Sequence, residues 1–199
     1  MDKIEELAQA FSRLPGIGPR QAKRFVFYLL SAPATDRAKL AELITALGAN
    51  VKQCSECLRF YNGNGTLCNY CADTSRDDAL LMIVEKDQDL AAIERAGTYK
   101  GRYFVLGGVL TLSGKGVIRE KELTRAAKRR AEKGLKEIVL ALSATSEGEH
   151  TADRVRELLA PYRDTVKISA LGRGLATGSE LEYSDAETLR AAFSNRHEA

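Results

Sequence analysis

The chain has 199 residues, 44% of them hydrophobic and 29% charged, and 30 Lys and Arg against 27 Asp and Glu leave a formal charge of +3. That length and apolar content suit one or two domains with small modules. The near-balance of charge excludes a bulk polycation, so nucleic-acid contact has to come from local clustering of cations, and no apolar run of about 18 residues is present to span a membrane.

The opening residues, Met1-Asp-Lys-Ile-Glu-Glu, carry no signal-peptide core. Over residues 3–13, Ile4, Leu7, Ala8 and Phe11 recur at helical spacing. Leu14-Pro-Gly-Ile-Gly-Pro19 then leads into a helix over Arg20–Leu30, with Pro19 where a first turn tolerates it. Gly16 and Gly18 clear side chains from a sharp turn and leave backbone N–H groups ahead of a helix N-terminus. Such a turn takes a phosphate oxygen without reading a base. Arg20, Lys23 and Arg24 follow on the same turns. The alternative is a hairpin that needs glycine only to turn; the Pro-Gly-Ile-Gly-Pro core with three cations favours nucleic acid. The stretch resembles the helix-hairpin-helix DNA-backbone motif. A second helix pair is expected next. Its helix carries Leu40, Leu43, Ile44 and Leu47 as ordinary core, starts at Thr35 or Asp36 and stops at Gly48.

All four cysteines lie in Cys54-Ser-Glu-Cys57 and Cys68-Asn-Tyr-Cys71. Two C-x-x-C pairs joined by an Asn/Gly-rich turn fit one tetrahedral zinc, a closed structural site. A redox role is the rival reading, although redox C-x-x-C motifs usually stand alone near a strand–helix junction. Clustered cysteines without a secretory signal point to the reducing cytoplasm, and none is left over as a nucleophile.

Beyond Asp78 the pattern changes. Ala79–Val84, Tyr103–Leu106, Glu137–Leu142 and Val166–Leu171 read as strands, and helices are expected from about Asp87 to Gly97, Glu120 to Lys133 and Glu147 to Ala160. The alternation predicts a parallel sheet with helices on both faces and function at the strand carboxyl ends. Gly108–Gly116 resembles a P-loop but has one residue too many between its glycines and Gly116 where Ser or Thr should hold Mg²⁺. Glu85 ends the first strand, where it could serve as acid/base or face a metal, but no Asp stands on the third strand end to complete a two-metal site. Asp87 and Asp89 complement a helix dipole, and Glu149 completes a capping box with Ser146. Lys121, Arg125, Arg129 and Lys133 share a helix face with Lys128 and Arg130 beside them, as a solvated face or a DNA-facing stripe. In the tail, Glu180–Tyr183 reads as extended, and Ser184-Asp-Ala-Glu187 as a capping box before a last helix.

The ordered set Leu-Pro-Gly-Ile-Gly-Pro19, four cysteines, Ile-Val-Glu85, Tyr-Phe-Val-Leu-Gly-Gly108, Thr-Ser-Glu-Gly-Glu149, Gly-Arg-Gly-Leu175 and Leu-Glu-Tyr-Ser-Asp185 resembles the RecR family of bacterial recombination mediators over essentially the whole chain. The resemblance implies a multi-module α/β protein. Its parts are a helix-hairpin-helix (1–53), a four-cysteine zinc finger (54–75), a Toprim parallel-sheet domain (77–172) and a C-terminal Walker-B-like segment (173–199) packing on Toprim or a neighbouring subunit. It implies zinc on Cys54, Cys57, Cys68 and Cys71, DNA contacts from Arg20 and Arg24 with Lys23 added by position, and RecO contact at Glu147. Further implications are a ring tetramer of dimers around single- or double-stranded DNA, RecF as second partner, and loading of RecA on gapped single-stranded DNA in the cytoplasm, at the nucleoid. Toprim enzymes need an Asp pair that this family lacks, so the chain is expected to be a non-enzyme; the rival is a Mg²⁺-dependent Toprim nuclease or topoisomerase-like enzyme. Phe104 replaces a common His, Ala176 a common Pro, and the 113–120 loop with the basic helix after it is atypical.

Overall fold

The computed structural model describes residues 2–196, and the chain divides into two units, residues 1–51 and 52–199. In the first, α1 (Lys3–Phe11) starts at Asp2, whose carboxylate accepts the Ile4 N–H at 3.2 Å. α2 (Pro19–Ser31) carries Pro at its first position after Gly18. Ala8, Ala22 and Val26 are buried, and Phe11 meets Phe25 edge-on at 5.9 Å. The expected second helix pair is one continuous helix, α3 (Ala34–Asn50). Pro33 precedes it and no side chain caps it; Arg37 ties its first turn to the Leu29 and Ala32 carbonyls at 3.1 and 2.5 Å. Gly48 is not its stop, since the helix continues through Asn50. Nor are its apolar positions core: Leu40, Leu43, Ile44 and Leu47 are 40 to 62% exposed, and α3 buries no residue.

From the boundary between the units onward, β1 (Val51–Gln53) and β2 (Phe60–Asn62) form a small ribbon, followed by α4 (Asn69–Ala72). The main sheet is built from β3 (Asp77–Val84), β4 (Gly101–Val105), β5 (Glu137–Ala141) and β6 (Lys167–Ala170), all parallel in the order β4-β3-β5-β6. Alternate residues point to opposite faces. Leu81, Ile83, Phe104, Ile138 and Leu140 meet α6 (Glu120–Ala131) and α7 (Ser146–Leu158) through Leu123, Ala127, Ala152 and Val155. Phe104 is 1% exposed, so this departure from His places a hydrocarbon ring in the core. On the other face Met82, Val84, Tyr103, Val105 and Ala141 meet Leu90 of α5 (Asp87–Ala96) and three of the cysteines.

Several caps differ from expectation. Thr145, not Ser146, caps α7, accepting the Gly148 N–H at 3.1 Å, and Glu149 turns instead to Arg173. Asp185, not Ser184, caps α8 (Ala186–Ser194): its carboxylate accepts the Glu187 and Thr188 N–H groups and the Thr188 hydroxyl, more than a serine hydroxyl can serve. Glu180–Tyr183 is not extended. With no ladder to join beyond β6, the backbone closes on itself in a 3-10 turn over Leu181–Tyr183. The P-loop-like run lies in a turn, with Thr111 N–H on the Lys115 carbonyl at 2.7 Å, and opens no helix.

Because Gly48 sits in open space inside a helix, Gly48→Ala is expected to raise stability by about 0.5–1 kcal/mol in denaturant titration. A loss of stability would show that the glycine terminates the helix.

Candidate metal centre and nucleic-acid interface

The four cysteine sulfurs lie within 4.8 Å of one another, and Cys54, Cys57 and Cys68 have no exposed surface. Two matching knuckles bring them there. The Leu58 N–H returns to the Cys54 carbonyl at 3.0 Å, and the Ala72 N–H to that of Cys68 at 2.9 Å. Leu58 adopts φ 62°, a left-handed turn uncommon for its side chain. The Cys68 N–H donates to Cys54 Sγ at 3.4 Å. As bare thiols the group is frustrated: hydrogen bonding from Cys57 pulls Cys54 down, while its bond to Cys54 pushes Cys57 up. Four soft donors converging in an apolar cluster fit one metal ion, with no position left for substrate. No other group of three or more His, Cys, Asp or Glu side chains placed to hold a metal occurs among the described residues.

The cysteine module is built into the sheet. Val105 N–H, on the outer edge of β4, donates to the Cys57 carbonyl at 2.9 Å. Arg102, 8% exposed, donates to the Tyr70 and Cys71 carbonyls at 3.1 Å each and to Asp78 at 2.8 Å. Arg119 bridges the Leu58 and Val105 carbonyls at 2.9 Å each. Asp87 accepts the Phe60 N–H at 2.9 Å. Arg129 and Arg130 reach Glu56 at 2.6 and 3.4 Å. Both belong to the run expected as a solvated or DNA-facing helix face; Arg130 is instead buried, and Arg129, part-exposed, pairs with the cysteine module. A module joining two halves would destabilise the N-terminal half when lost. The observed packing puts its cysteines in the core of the 52–199 unit instead.

At the strand ends, Glu85 is 3% exposed, and both its oxygens are engaged by Ser143: the N–H at 2.6 Å and the hydroxyl at 2.9 Å. It therefore ties β3 to the loop after β5. Glu147 lies in the first turn of α7, half-buried, and its carbonyl accepts the Thr151 hydroxyl at 2.7 Å. Thr151 in turn accepts the Leu110 N–H at 2.9 Å, fixing the loop after β4.

In the 1–51 unit, Gly16 takes φ +78° with open space where a Cβ would stand. Gly18 precedes α2 with extended backbone and no capping side chain, so the first N–H groups of α2 face outward uncapped. Arg20, Lys23 and Arg24 are exposed on one face of the helix start. Lys23 pairs with Glu5 at 3.1 Å; Arg20 and Arg24 meet no carboxylate among the described residues. Glu56, Leu58, Arg102 and Arg119 are the contributors that sequence reading missed. Each acts across a distance in sequence or through backbone geometry, and the positive φ of Leu58 has no sequence signal.

Residues 4–47 match the family model described as RecR, helix-hairpin-helix, residues 79–171 the Toprim domain, and residues 174–197 RecR, C-terminal. The chain is 39% identical over 194 residues to the Recombination protein RecR of Cutibacterium acnes, covering 97% of this chain and 94% of the relative. It is 39% identical over 199 residues to that of Bifidobacterium longum subsp. infantis (98% and 96% covered). To that of a Cereibacter sphaeroides strain it is 38% identical over 193 residues (97% and 95%).

Removing the metal with a chelator, or replacing Cys57 by Ser, is expected to lower the unfolding midpoint of the 52–199 unit by roughly 10 °C or more. The near-ultraviolet signal of Tyr70, Tyr99 and Tyr103, which pack on the cysteine side of the sheet, should be lost with it. An unchanged midpoint would refute the assignment.

Proposed function

The chain belongs to the RecR family of recombination proteins, and from that premise we propose that it is a non-catalytic DNA-binding mediator of recombinational repair. The observation that carries this reading is the hairpin: two exposed arginines one turn apart beside an uncapped helix start. A phosphate oxygen placed ahead of α2 meets the Gly18 and Arg20 N–H groups, Pro19 having none, and the positive end of the helix dipole. Arg20 and Arg24 then hold adjoining phosphates as forked donors, and Lys23 adds charge shared with Glu5. Gly16 and Gly18 keep the approach clear. These contacts read the backbone and not the bases, so affinity is sequence-independent and falls with salt.

In this reading residues 1–53 hold single- or double-stranded DNA, 54–75 form the zinc module, 77–172 form the Toprim platform and 173–199 pack on it or on a neighbouring subunit. Zinc suits four thiolates in tetrahedral array and supplies a cross-link with no open coordination position. Cys54, Cys57, Cys68 and Cys71 would hold it. Engagement of both Glu85 oxygens by Ser143 supports the absence of metal-dependent cleavage. The start of α7, around Glu147, is the surface for RecO, with RecF as second partner and RecA loading as the outcome, at the nucleoid in the cytoplasm.

Self-association into dimers and a ring tetramer accounts for α3. A 17-residue helix with an apolar stripe and no buried residue lacks the packing that stabilises helices in proteins, and a second copy offers the same stripe. The adjoining groove, about 380 Å³ and lined by Ile4, Leu7, Phe11 and Ile44 among others, is almost wholly apolar.

Arg20→Ala with Arg24→Ala is expected to reduce the salt slope of duplex binding by about 1.8 units, two phosphates' worth, with circular dichroism unchanged; wild-type binding across a salt titration would refute the hairpin's role. Leu43→Glu with Leu47→Glu should lower the mass in solution by light scattering, and an unchanged mass would remove α3 from the assembly.

A further inference from the structure

Residues 119–136 hold eight Lys and Arg against three Glu, a local excess of five that exceeds the +3 of the whole chain. The structure sorts these cations into two sets. Arg119, Arg129 and Arg130 turn inward, to the Leu58 and Val105 carbonyls and to Glu56. Of the acids, Glu120 is taken by Arg154 at 2.9 Å, and hydrogen bonding from that guanidinium holds its carboxyl below the usual range. What remains on the outer face of α6 is Lys121, Arg125 and Lys128, at i, i+4 and i+7, all exposed and none within ion-pair distance of a carboxylate among the described residues. Glu122 lies on the flank and Glu132 closes the ridge at its C-terminal end, followed by exposed Lys133 and Lys136.

From this we infer that the outer ridge of α6 is a second phosphate-binding surface for DNA, separate in the chain from the hairpin. The inference rests on the DNA-binding reading above and adds a site to it. Two features favour a nucleic-acid backbone over an acidic protein. Along a helix rising 1.5 Å per residue, Lys121 and Arg125 stand about 6 Å apart and Lys121 and Lys128 about 10.5 Å, a straight row suited to regularly spaced phosphates. No large apolar side chain of α6 is exposed, whereas a protein interface needs an apolar centre. A mere solvated face explains the exposure but not the sorting of the segment, with Glu120 drawn off to Arg154 and Arg129 and Arg130 to Glu56, while Lys121, Arg125 and Lys128 stay unpaired among the described residues.

The test compares salt titrations of a duplex and a single-stranded oligonucleotide binding to the full chain. Lys121→Gln/Arg125→Gln/Lys128→Gln should lower the slope of log affinity against log salt by about 2.7 units on duplex and about 2 on single strand. The charge-keeping Lys121→Arg/Arg125→Lys/Lys128→Arg should retain the wild-type slope. Unfolding midpoints verify the fold, and the single Arg125→Gln, expected to lower the duplex slope by about 0.9, serves if the triple variant unfolds. A wild-type slope in the Gln variants while Arg20→Ala/Arg24→Ala loses its share would overturn the ridge and leave the hairpin standing. No salt-dependent binding by the unmodified chain would overturn both.

Discussion

Four sulfurs within 4.8 Å of one another in an apolar cluster are the constraint on which the 52–199 unit depends. Bare thiols there cannot all ionise together, and one cation resolves the conflict. Once the two knuckles close, their carbonyls are fixed in space and the rest follows. The Cys57 carbonyl seals β4, an edge strand that would otherwise offer unpaired N–H groups. The Tyr70, Cys71 and Leu58 carbonyls satisfy Arg102 and Arg119. If the knuckles open, these partly buried guanidinium groups lose their partners, which is costly. Through Arg119 the effect reaches Gly107, where even a Cβ would meet the guanidinium, and through Glu56 it reaches α6.

The same rigidity extends to the strand ends. Parallel sheets place their sites at the carboxyl ends of the strands, and Glu85 stands at that position. Ser143 occupies both of its oxygens, and a Cβ at Gly148 would run into the Ser143 carbonyl, so the region is packed as a strut. The proposed functions therefore lie on surfaces that rigid elements present: the hairpin with Arg20 and Arg24, the outer ridge of α6, the start of α7 and the apolar stripe of α3.

Spacing made the four-cysteine cluster and the hairpin turn legible, because two C-x-x-C pairs and a Pro-Gly-Ile-Gly-Pro turn are local chemistry. The continuous run Ala79–Val84 gave the central strand for the same reason: burial on both faces leaves no alternation. What escaped was decided at long range. Periodicity told which side of α3 is apolar but not what covers it. Charge spacing on α6 looked alike for Lys128, which is exposed, and Arg130, which is buried against a glutamate 74 residues away. The caps went to Thr145 and Asp185 over neighbouring serines because reach to the N–H groups, not residue preference, chose between adjacent candidates. The placement of the cysteine module was likewise hidden, since Leu58, Arg102 and Arg119 show their roles only in three dimensions.

The central claim is that the metal holds the sheet edge and not the N-terminal helices. Amide hydrogen exchange before and after metal removal tests it most directly. Protection is expected to collapse at Val105 and Leu106 and along β3, while the amides of α1 and α2 keep their rates. Loss of protection in α1 and α2 with β3 and β4 unchanged would contradict it.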